Sequence, residues 1–229
     1  MSTFIDKIEG KHNQWLLDKW GKFSGSRIHR LIPVKFTKDM FDNDALKYID
    51  EVSCQACTAF EDRPELMTYD VRMGKINEPY AFKFYSQVIG FDRLEYFGDN
   101  NPHFELYNEH AGVSPDCVAF KNDGTASFGA EFKCLSRDNH MYYLKNVQKQ
   151  VDLKIVSLER YAQIQFQMMV YKVDLWHFAI YNEYFPLKSR MHIIEIQPDK
   201  NFQMDLKIRI SAAINLKIEN VQSFKKQFS

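Results

Sequence analysis

Residues 126–134 carry the sequence ASFGAEFKC, in which two kinds of side chain alternate, and this alternation predicts a β-strand. Side chains two positions apart point to the same face of a strand. One face therefore carries the apolar or small side chains Phe128, Ala130, Phe132 and Cys134. The opposite face carries Glu131 and Lys133, next to Gly129. The strand thus presents a carboxylate beside an amine on one side and an apolar surface on the other.

A second strand is predicted just upstream, and it brings another carboxylate to the same place. Residues 113–120 have the sequence VSPDCVAF, and the turn sequence Asn122-Asp123-Gly124 separates them from the first strand. Such a turn between two strand-like runs predicts a β-hairpin. Asp116 on the partner strand would then lie near Glu131 and Lys133, so that two carboxylates and one lysine converge on a small site.

This combination of residues suits the hydrolysis of phosphodiester bonds. Mg²⁺ binds carboxylate oxygens together with waters and substrate phosphate. An ion held by Asp116 and Glu131 would lower the pKa of a bound water and stabilise charge on the phosphate. Lys133 would orient or deprotonate that water, or neutralise the developing charge. The same residues also fit an ion pair on an exposed strand, and acid-x-Lys triplets recur elsewhere in the chain, so both interpretations stay open at this point.

A predicted helix over residues 157–173 adds an unusual set of amides. Ser157 is placed to cap its start. Gln163 and Gln167 are four residues apart and share a face, whereas Gln165 points elsewhere. These amides either satisfy buried backbone groups or hold the attacking water or a phosphate oxygen.

The remaining elements predict an α/β fold, a single domain with a central mixed β-sheet flanked by helices. Helices are expected over 43–60, from the Pro79 region to Gly90, over 141–155 and from Asp199 onward. Residues 12–32 are expected to form a helix, a short turn and a second helix, and Ser24-Gly25-Ser26 would end the first and is able to cap the second. Further strands are expected at 92–97, 175–182 and 191–196. The whole of 1–229 is interpreted as one domain, with an N-terminal helical part (about 1–60), a core (about 70–200) and a C-terminal helix (about 200–228).

Charge and hydropathy narrow the class of protein without identifying a partner. The net charge is zero, so the composition as a whole gives no support to a nucleic-acid partner. Residues 19–38 carry basic side chains and no acidic one, which fits a solvated basic face or a DNA contact: Lys19, Lys22, Arg27, Arg30, Lys35 and Lys38. The polar N-terminus and the lack of a run of about 20 apolar residues predict a cytoplasmic protein that does not enter a membrane.

The four cysteines raise the alternative of a redox or metal site, which the sequence supports less well than phosphodiester hydrolysis. Cys54 and Cys57 form a C-x-x-C pair within the predicted helix over 43–60. We expect them to be buried thiols on the helix, because a second such pair or a His pair for zinc is missing. An iron–sulfur cluster that also uses Cys117 and Cys134 stays open.

Several motifs together resemble the lambda-exonuclease and YqaJ-like viral recombinase group of PD-(D/E)XK nucleases. Ser114-Pro115-Asp116 and residues 129–134, GAEFKC, are similar to the S-P-D and G-x-E-x-K-C pair of that group. Residues 161–168, YAQIQFQM, are similar to its Q-x-Q-x-x-M helix, and residues 74–78, GKINE, to its G-K-x-x-E. Near the N-terminus the matching residues are Trp15, Lys19, Gly21, Ser24, Ser26, His29 and Ile32. The resemblance runs from about residue 13 to 200 and implies a restriction-endonuclease-like fold.

The resemblance also implies a reaction and a role for each site residue. The reaction would be a Mg²⁺-dependent 5′→3′ exonuclease reaction on double-stranded DNA, with Mn²⁺ as a substitute metal. Asp116, Glu131 and the backbone carbonyl of Phe132 would bind the ion, and Glu78 would be a further acidic member. Lys133 and Gln163 would position the water. Lys19, Ser26 and Ser114 would form a pocket for the 5′-terminal phosphate.

The resemblance further implies partners, and it leaves some points open. It implies a ring-shaped homotrimer on DNA ends and a single-strand annealing protein that receives the 3′ overhang.

This chain has Lys19 where the lambda member has Arg, and Lys cannot make the planar two-pronged contact of Arg. Glu109 is the nearest match to a second acidic residue before S-P-D. An endonuclease of a restriction or defence system and a non-catalytic DNA-binding assembly protein are the alternatives.

Overall fold

The computed structural model describes residues 4–33, 39–61 and 68–228, so that Lys35 and Lys38 of the basic segment lie outside the described residues. The helices, in chain order, are α1 (Phe4–Lys19), a 3-10 helix (Gly25–Leu31), α2 (Asn43–Cys57), α3 (Tyr69–Ile89), α4 (Arg137–Asn146), α5 (Gln150–Val156), α6 (Leu158–Tyr171) and α7 (Lys200–Phe228). The strands are β1 (Phe23–Ser24), β2 (Leu94–Tyr96), β3 (Glu105–Asn108), β4 (Ala111–Val113), β5 (Cys117–Phe120), β6 (Ala126–Cys134), β7 (Trp176–Tyr181) and β8 (Met191–Ile196).

A five-stranded mixed sheet with the order β2-β5-β6-β7-β8 forms the centre of the molecule. β6 and β7 run parallel, and the other neighbours in this sheet are antiparallel. The predicted hairpin of β5 and β6 is confirmed, with Cys117 opposite Ala130. The chain between β6 and β7 contains α4, α5 and α6, because two parallel strands need a long crossover connection.

Helices cover both faces of this sheet, as the order of helices and strands along the chain predicts. Phe128 and Phe132 pack in an apolar cluster with Ala81 and Tyr85 of α3. On the other face α6 packs over β7 in a second apolar cluster. The predicted α/β fold is therefore confirmed, and β6 lies in the middle with its polar face toward α6.

The predicted strand over 113–120 is two strands in two different sheets. β4 belongs to a small sheet with the order β1-β4-β3, whereas β5 belongs to the main sheet. The chain changes sheet at Ser114-Pro115-Asp116, and Pro115 has no backbone N–H with which to continue a ladder. The break places Asp116 at the edge of the main sheet, where its backbone carbonyl accepts a hydrogen bond from the Phe97 N–H at 2.9 Å.

The N-terminal segment also differs from the prediction of two helices over 12–32. After α1 the chain forms the short strand β1, which runs parallel to β4, and then the 3-10 helix. Hydrophobic spacing over so few residues does not separate a 3-10 helix from an α-helix. Ser24 occupies the cap position, but its side chain makes no capping hydrogen bond. Of the segment Ser24-Gly25-Ser26, which was predicted to be able to cap the second helix, Ser24 therefore takes the cap position without a side-chain cap.

Helix α3 begins well before the predicted start, so that Pro79 lies inside it. The side chain of Thr68 accepts a hydrogen bond from the Val71 N–H and caps the true start. The end is as predicted, because Gly90 adopts a positive φ of 62°. The predicted helix over 141–155 is likewise interrupted, since α4 ends at Asn146 and α5 begins at Gln150.

Cys54 and Cys57 are not the buried thiols that the helical spacing predicted. Cys54 is exposed and Cys57 is partly exposed, and both are free thiols. The buried side of α2 carries Tyr48, Ile49 and Val52, and the two cysteines lie off that side.

Helix α7 packs its apolar side chains into the core formed by α2, α6 and the 3-10 helix. The buried residues on it include Leu206, Ile210 and Ala213. None of the helices in the described ranges is long and apolar enough to cross a membrane.

Candidate active site

Glu131 is the most tightly held polar side chain on the polar face of β6, and it is only 1% exposed. Its Oε1 accepts hydrogen bonds from Gln163 Nε2 at 2.8 Å and from Lys133 Nζ at 2.7 Å. Its Oε2 accepts a hydrogen bond from Gln167 Nε2 at 2.8 Å. The prediction that Gln163 and Gln167 share one face of α6 is therefore confirmed. A carboxylate offers about four acceptor positions, so one position on Glu131 remains for a further partner.

Asp116 lies beside this group, at the start of β5, and is half-buried. Its Oδ2 accepts a hydrogen bond from the backbone N–H of Phe132 at 2.6 Å, which fixes the side chain against β6. Its Oδ1 accepts no hydrogen bond from any described residue and is available to a ligand. Burial, and after it the negative charges of Glu131 and Glu78, raise the pKa of Asp116 well above its ordinary value. The carboxylates therefore repel one another until a cation joins them.

Lys133 supplies the positive charge that faces these carboxylates. Burial alone would lower the pKa of Lys133, but the charges of Glu131 and Asp116 and the hydrogen bond to Glu131 outweigh it and raise the pKa. The positive charge of Arg160 acts in the opposite direction. Lys133 therefore keeps its proton as an ammonium and donates a hydrogen bond to Glu131, which favours a positioning or charge-neutralising role over that of a base. We call Asp116, Glu131 and Lys133 the carboxylate site.

Glu78 reaches the same region from α3, which packs on the other face of the sheet. Its Oε1 accepts a hydrogen bond from the hydroxyl of Tyr96 on β2 at 2.9 Å. Burial is the main cause of the raised pKa of Glu78, and the negative charge of Glu131 adds to it, whereas Tyr96 and Lys133 act against it. The hydrogen bond of Glu78 is with Tyr96, and the charges of Glu131 and Lys133 act on Glu78 from the carboxylate site.

The donor set at the carboxylate site fits a hard divalent cation that keeps several waters. Within the described ranges, no three His, Cys, Asp or Glu side chains are placed to hold an ion on their own. Mg²⁺ commonly uses one or two carboxylates together with waters and substrate phosphate, and so does not require such a cage. Gln167 Oε1 beside Glu131 is a buried acceptor with no hydrogen-bond partner, so it offers a position for one such water. In the described part of the chain the cysteines likewise form no group of three or more metal-ligating side chains, so nothing there supports an iron–sulfur cluster.

Lys19, Ser26 and Ser114 are predicted to bind the 5′ phosphate. Fewer contacts connect them than connect the residues of the carboxylate site. Trp15 Nε1 donates a hydrogen bond to Ser114 Oγ at 2.9 Å, and Lys19 Nζ lies 3.8 Å from the centre of the Trp15 ring. Ser26 is exposed, and its hydroxyl lies 3.4 Å from that of Ser24. No hydrogen bond between described residues joins Ser26 to Ser114. We call Lys19, Ser26, Ser114 and Trp15 the end pocket.

Part of the end pocket opens into a groove of about 1060 Å³. Its lining carries both signs of charge, with Lys19, Lys22, Arg27 and Lys47 beside Asp50, Glu51 and Glu61, and it includes Ser26 but not Ser114. Ser114 joins this region through Trp15. Glu109, the nearest match to a second acidic residue, has an 84% exposed side chain and pairs with His110 at 3.3 Å.

Three residues that contact the carboxylate site, Glu78 or the end pocket were given no role on the basis of the sequence. Gln167 was expected on the same face as Gln163, and it proves to hold the second oxygen of Glu131. Trp15 carries a motif match, but nothing in the sequence indicated that it joins Ser114 to Lys19. Tyr96 had no sequence signal, because its contact with Glu78 depends on how α3 packs against β2.

Comparisons with known proteins bear on the family and on the fold. Residues 14–174 match the model of the YqaJ-like viral recombinase domain. An alkaline exonuclease (LHK-Exo) from Laribacter hongkongensis has a similar fold, with a TM-score of 0.75, 19% identity, and coverage of 94% of this chain and 97% of that one. Its complex with dAMP matches with a TM-score of 0.75 and 18% identity, over the same shares of the two chains. A phage-related exonuclease from Haemophilus somnus 129PT gives a TM-score of 0.64 and 17% identity, over 90% of this chain and 96% of that one. No curated protein sequence matches the chain. Because the family match spans most of the sequence, this chain belongs to the YqaJ-like viral recombinase family.

Proposed function

We propose that this deoxyribonuclease is a phage-type exonuclease that degrades the 5′-ended strand of double-stranded DNA and leaves a 3′ overhang. The observation that carries the proposal is the arrangement around Glu131. One buried carboxylate is held by Lys133, Gln163 and Gln167, beside an Asp116 with a free oxygen. A structural ion pair would need only one of these donors, whereas three donors fix both oxygens of Glu131, as a carboxylate that must be oriented toward a metal ion requires.

In this proposal Asp116, Glu131 and the backbone carbonyl of Phe132 hold Mg²⁺, and Mn²⁺ can replace it. The bound ion would supply an acidified water and charge stabilisation at the phosphate. The hydrogen bond from the Phe132 N–H orients Asp116 toward this position. Glu78, held by Tyr96, adds a nearby acidic group that can accept a hydrogen bond from a metal-bound water.

Lys133 and the two amides position groups around the reacting phosphate. The ammonium of Lys133 neutralises charge on the phosphate or orients the water. Gln163 assists by fixing Glu131 Oε1, and Gln167 fixes Oε2 in the same way. These contacts exist before substrate binds, so little reorganisation is needed when the reaction begins.

The end pocket would select a strand that ends in a 5′ phosphate. One cation, Lys19, and the hydroxyls of Ser26 and Ser114 match the charge and the acceptors of a phosphate. Trp15 supports the pocket, because its indole N–H orients Ser114 and its ring contacts Lys19. We further propose that the protein acts on DNA ends as a homotrimer and passes the 3′ overhang to a single-strand annealing protein.

The test is incubation with linear duplex labelled at either end of one strand, with and without Mg²⁺. We expect Mg²⁺-dependent shortening from the 5′ end, faster when that end is phosphorylated. Closed circular duplex is the matched control and should stay intact. Equal cutting of linear and circular DNA would indicate an endonuclease, and DNA binding without cleavage would indicate an assembly protein.

A further inference from the structure

Arg160 lies on α6 one turn before Gln163, so the two side chains share a face of the helix. Its guanidinium carbon lies 5.1 Å from the ring centre of Tyr143 and 5.9 Å from that of Phe178. Phe178 is the register partner of Glu131 on the neighbouring strand, and side chains at paired positions point to the same face of a sheet. Arg160 therefore lies on the face of the sheet that carries the carboxylate site, near enough to Lys133 for its charge to act on that ammonium.

The guanidinium of Arg160 lies over aromatic rings, and no acceptor among residues 4–33, 39–61 and 68–228 pairs with it. Its Nη1 is buried without a hydrogen-bond partner. Arg30, by contrast, pairs with Asp44 and Glu51, and Arg209 pairs with Asp205. A buried donor without a partner costs free energy, and the cost is larger for a charged group. Such a group is retained at a functional site when a ligand completes its hydrogen bonds.

The missing acceptor should be an anion that enters from outside the chain. Glu131 already receives its donors from Lys133, Gln163 and Gln167, and Asp116 receives one from Phe132, and none of these bonds involves Arg160. The planar guanidinium matches two oxygens of a phosphate, and stacking on Tyr143 limits its motion. We propose that Arg160 binds a non-bridging oxygen of the DNA phosphate at the carboxylate site and neutralises the charge that grows there during cleavage. This inference rests on the proposed function.

The test compares Arg160→Met, which keeps the length of the side chain, with Lys145→Gln, which removes one exposed charge from α4. Binding of a short 5′-phosphorylated duplex is measured over a range of salt concentrations, with Ca²⁺ in place of Mg²⁺. For Arg160→Met we expect the slope of log affinity against log salt to fall by about one, since each phosphate contact contributes about 0.9. We expect no such change for Lys145→Gln. Single-turnover cleavage in Mg²⁺ should fall about a hundredfold for Arg160→Met.

Two further readouts separate a phosphate contact from a structural role. Arg160→Met should melt at the same temperature as the wild type or higher, because an unpaired buried donor has been removed. Arg160→Lys should recover the salt slope but only part of the cleavage rate, since Lys keeps the charge without the fork. An unchanged salt slope in Arg160→Met, with or without a lower melting temperature, overturns the inference. If the wild type does not cleave DNA, the proposed function fails, and the salt slope alone then decides whether Arg160 contacts phosphate.

Discussion

The carboxylate site and the end pocket are built in opposite ways. At the carboxylate site, every polar side chain is fixed by a partner from β6, α6 or the start of β5, and Glu131 is almost fully buried. In the end pocket Ser26 is exposed, and a single ring, that of Trp15, connects Ser114 with Lys19. Under the proposed function, the first region would determine the rate of the reaction and the second would determine which DNA end is accepted. Substitutions in the two regions should therefore change different measurements.

The largest effect is expected for Asp116→Asn. Asparagine can still accept the hydrogen bond from the Phe132 N–H, so the fold should persist while the negative charge for a cation is lost. We expect the Mg²⁺-dependent cleavage rate to fall by at least about a thousandfold, with DNA binding little changed. Asp123→Asn, in the turn between β5 and β6, is the matched control and should cleave normally. Normal cleavage by Asp116→Asn would remove Asp116 from the site.

A smaller effect is expected when one of the two amides behind Glu131 is lost. Gln167→Met removes the donor to Glu131 Oε2, together with the longer hydrogen bond of 3.4 Å to the backbone carbonyl of Ser114, and keeps the size of the side chain. We expect single-turnover cleavage to fall about tenfold, because a hydrogen bond to a charged group contributes about 1.5–3 kcal/mol and only part of it acts in the transition state.

Gln165→Met is the control for that experiment, because Gln165 lies on the same helix but bonds the backbone of Gln197 and Asp199. We expect it to lower the free energy of unfolding by about 1–3 kcal/mol and to leave the cleavage rate of the folded protein unchanged. If both variants slow cleavage equally, the distinction between the two faces of α6 is wrong.

A substitution in the end pocket should change the preference between DNA ends rather than the overall rate of cleavage. Trp15→Phe keeps a ring near Lys19 but removes the indole N–H that orients Ser114. Loss of one hydrogen bond of about 1 kcal/mol corresponds to about a fivefold change. We therefore expect the preference for a 5′-phosphorylated over a 5′-hydroxyl duplex to fall about fivefold. A uniform loss of rate on both substrates would argue that Trp15 supports the carboxylate site instead.

The smallest effect concerns the apolar side of the sheet, away from both regions. Burial lowers the pKa of His177 below its ordinary value, and its Nδ1 pairs with the hydroxyl of Tyr85. The unfolded chain then binds a proton near pH 6.5 that the folded protein binds only at lower pH. The contribution of His177 to stability is therefore present above about pH 6.5 and is lost as the pH falls toward its folded-state pKa.

This contribution can be measured by following unfolding of the wild type and of His177→Gln by denaturant between about pH 7.5 and 5. We expect the wild type to lose more stability than the variant over this range, and cleavage at neutral pH to be the same in both. An identical pH dependence in the two proteins would contradict the account of His177.

The carboxylate site was predictable from sequence because it depends on short-range geometry. Period-two alternation placed Glu131 and Lys133 on one face of β6, the turn at Asn122-Asp123-Gly124 paired β6 with β5, and helical spacing put Gln163 and Gln167 together. The end pocket was harder to predict from the sequence, because its contacts join residues that lie far apart in the chain. The bond from Trp15 to Ser114 depends on how α1 packs beside the link between β4 and β5.

The errors in the fold have a similar physical origin. The break at Pro115 moves the chain from one sheet to another, which local alternation does not reveal. The start of α3 depends on the cap at Thr68, whereas Pro79 lies inside that helix although Pro favours the first turn. The thiols of Cys54 and Cys57 are accessible because tertiary packing buries a different side of α2.

The central claim is that Asp116 and Glu131 share one divalent cation. Titration of Mn²⁺ into metal-free protein, followed by the electron paramagnetic resonance signal of the free ion, tests it without DNA or catalysis. We expect the wild type and Asp123→Asn to bind Mn²⁺ alike, and Asp116→Asn and Glu131→Gln each to bind it at least about tenfold more weakly. Binding of Mn²⁺ to both of these variants with wild-type affinity would contradict the account.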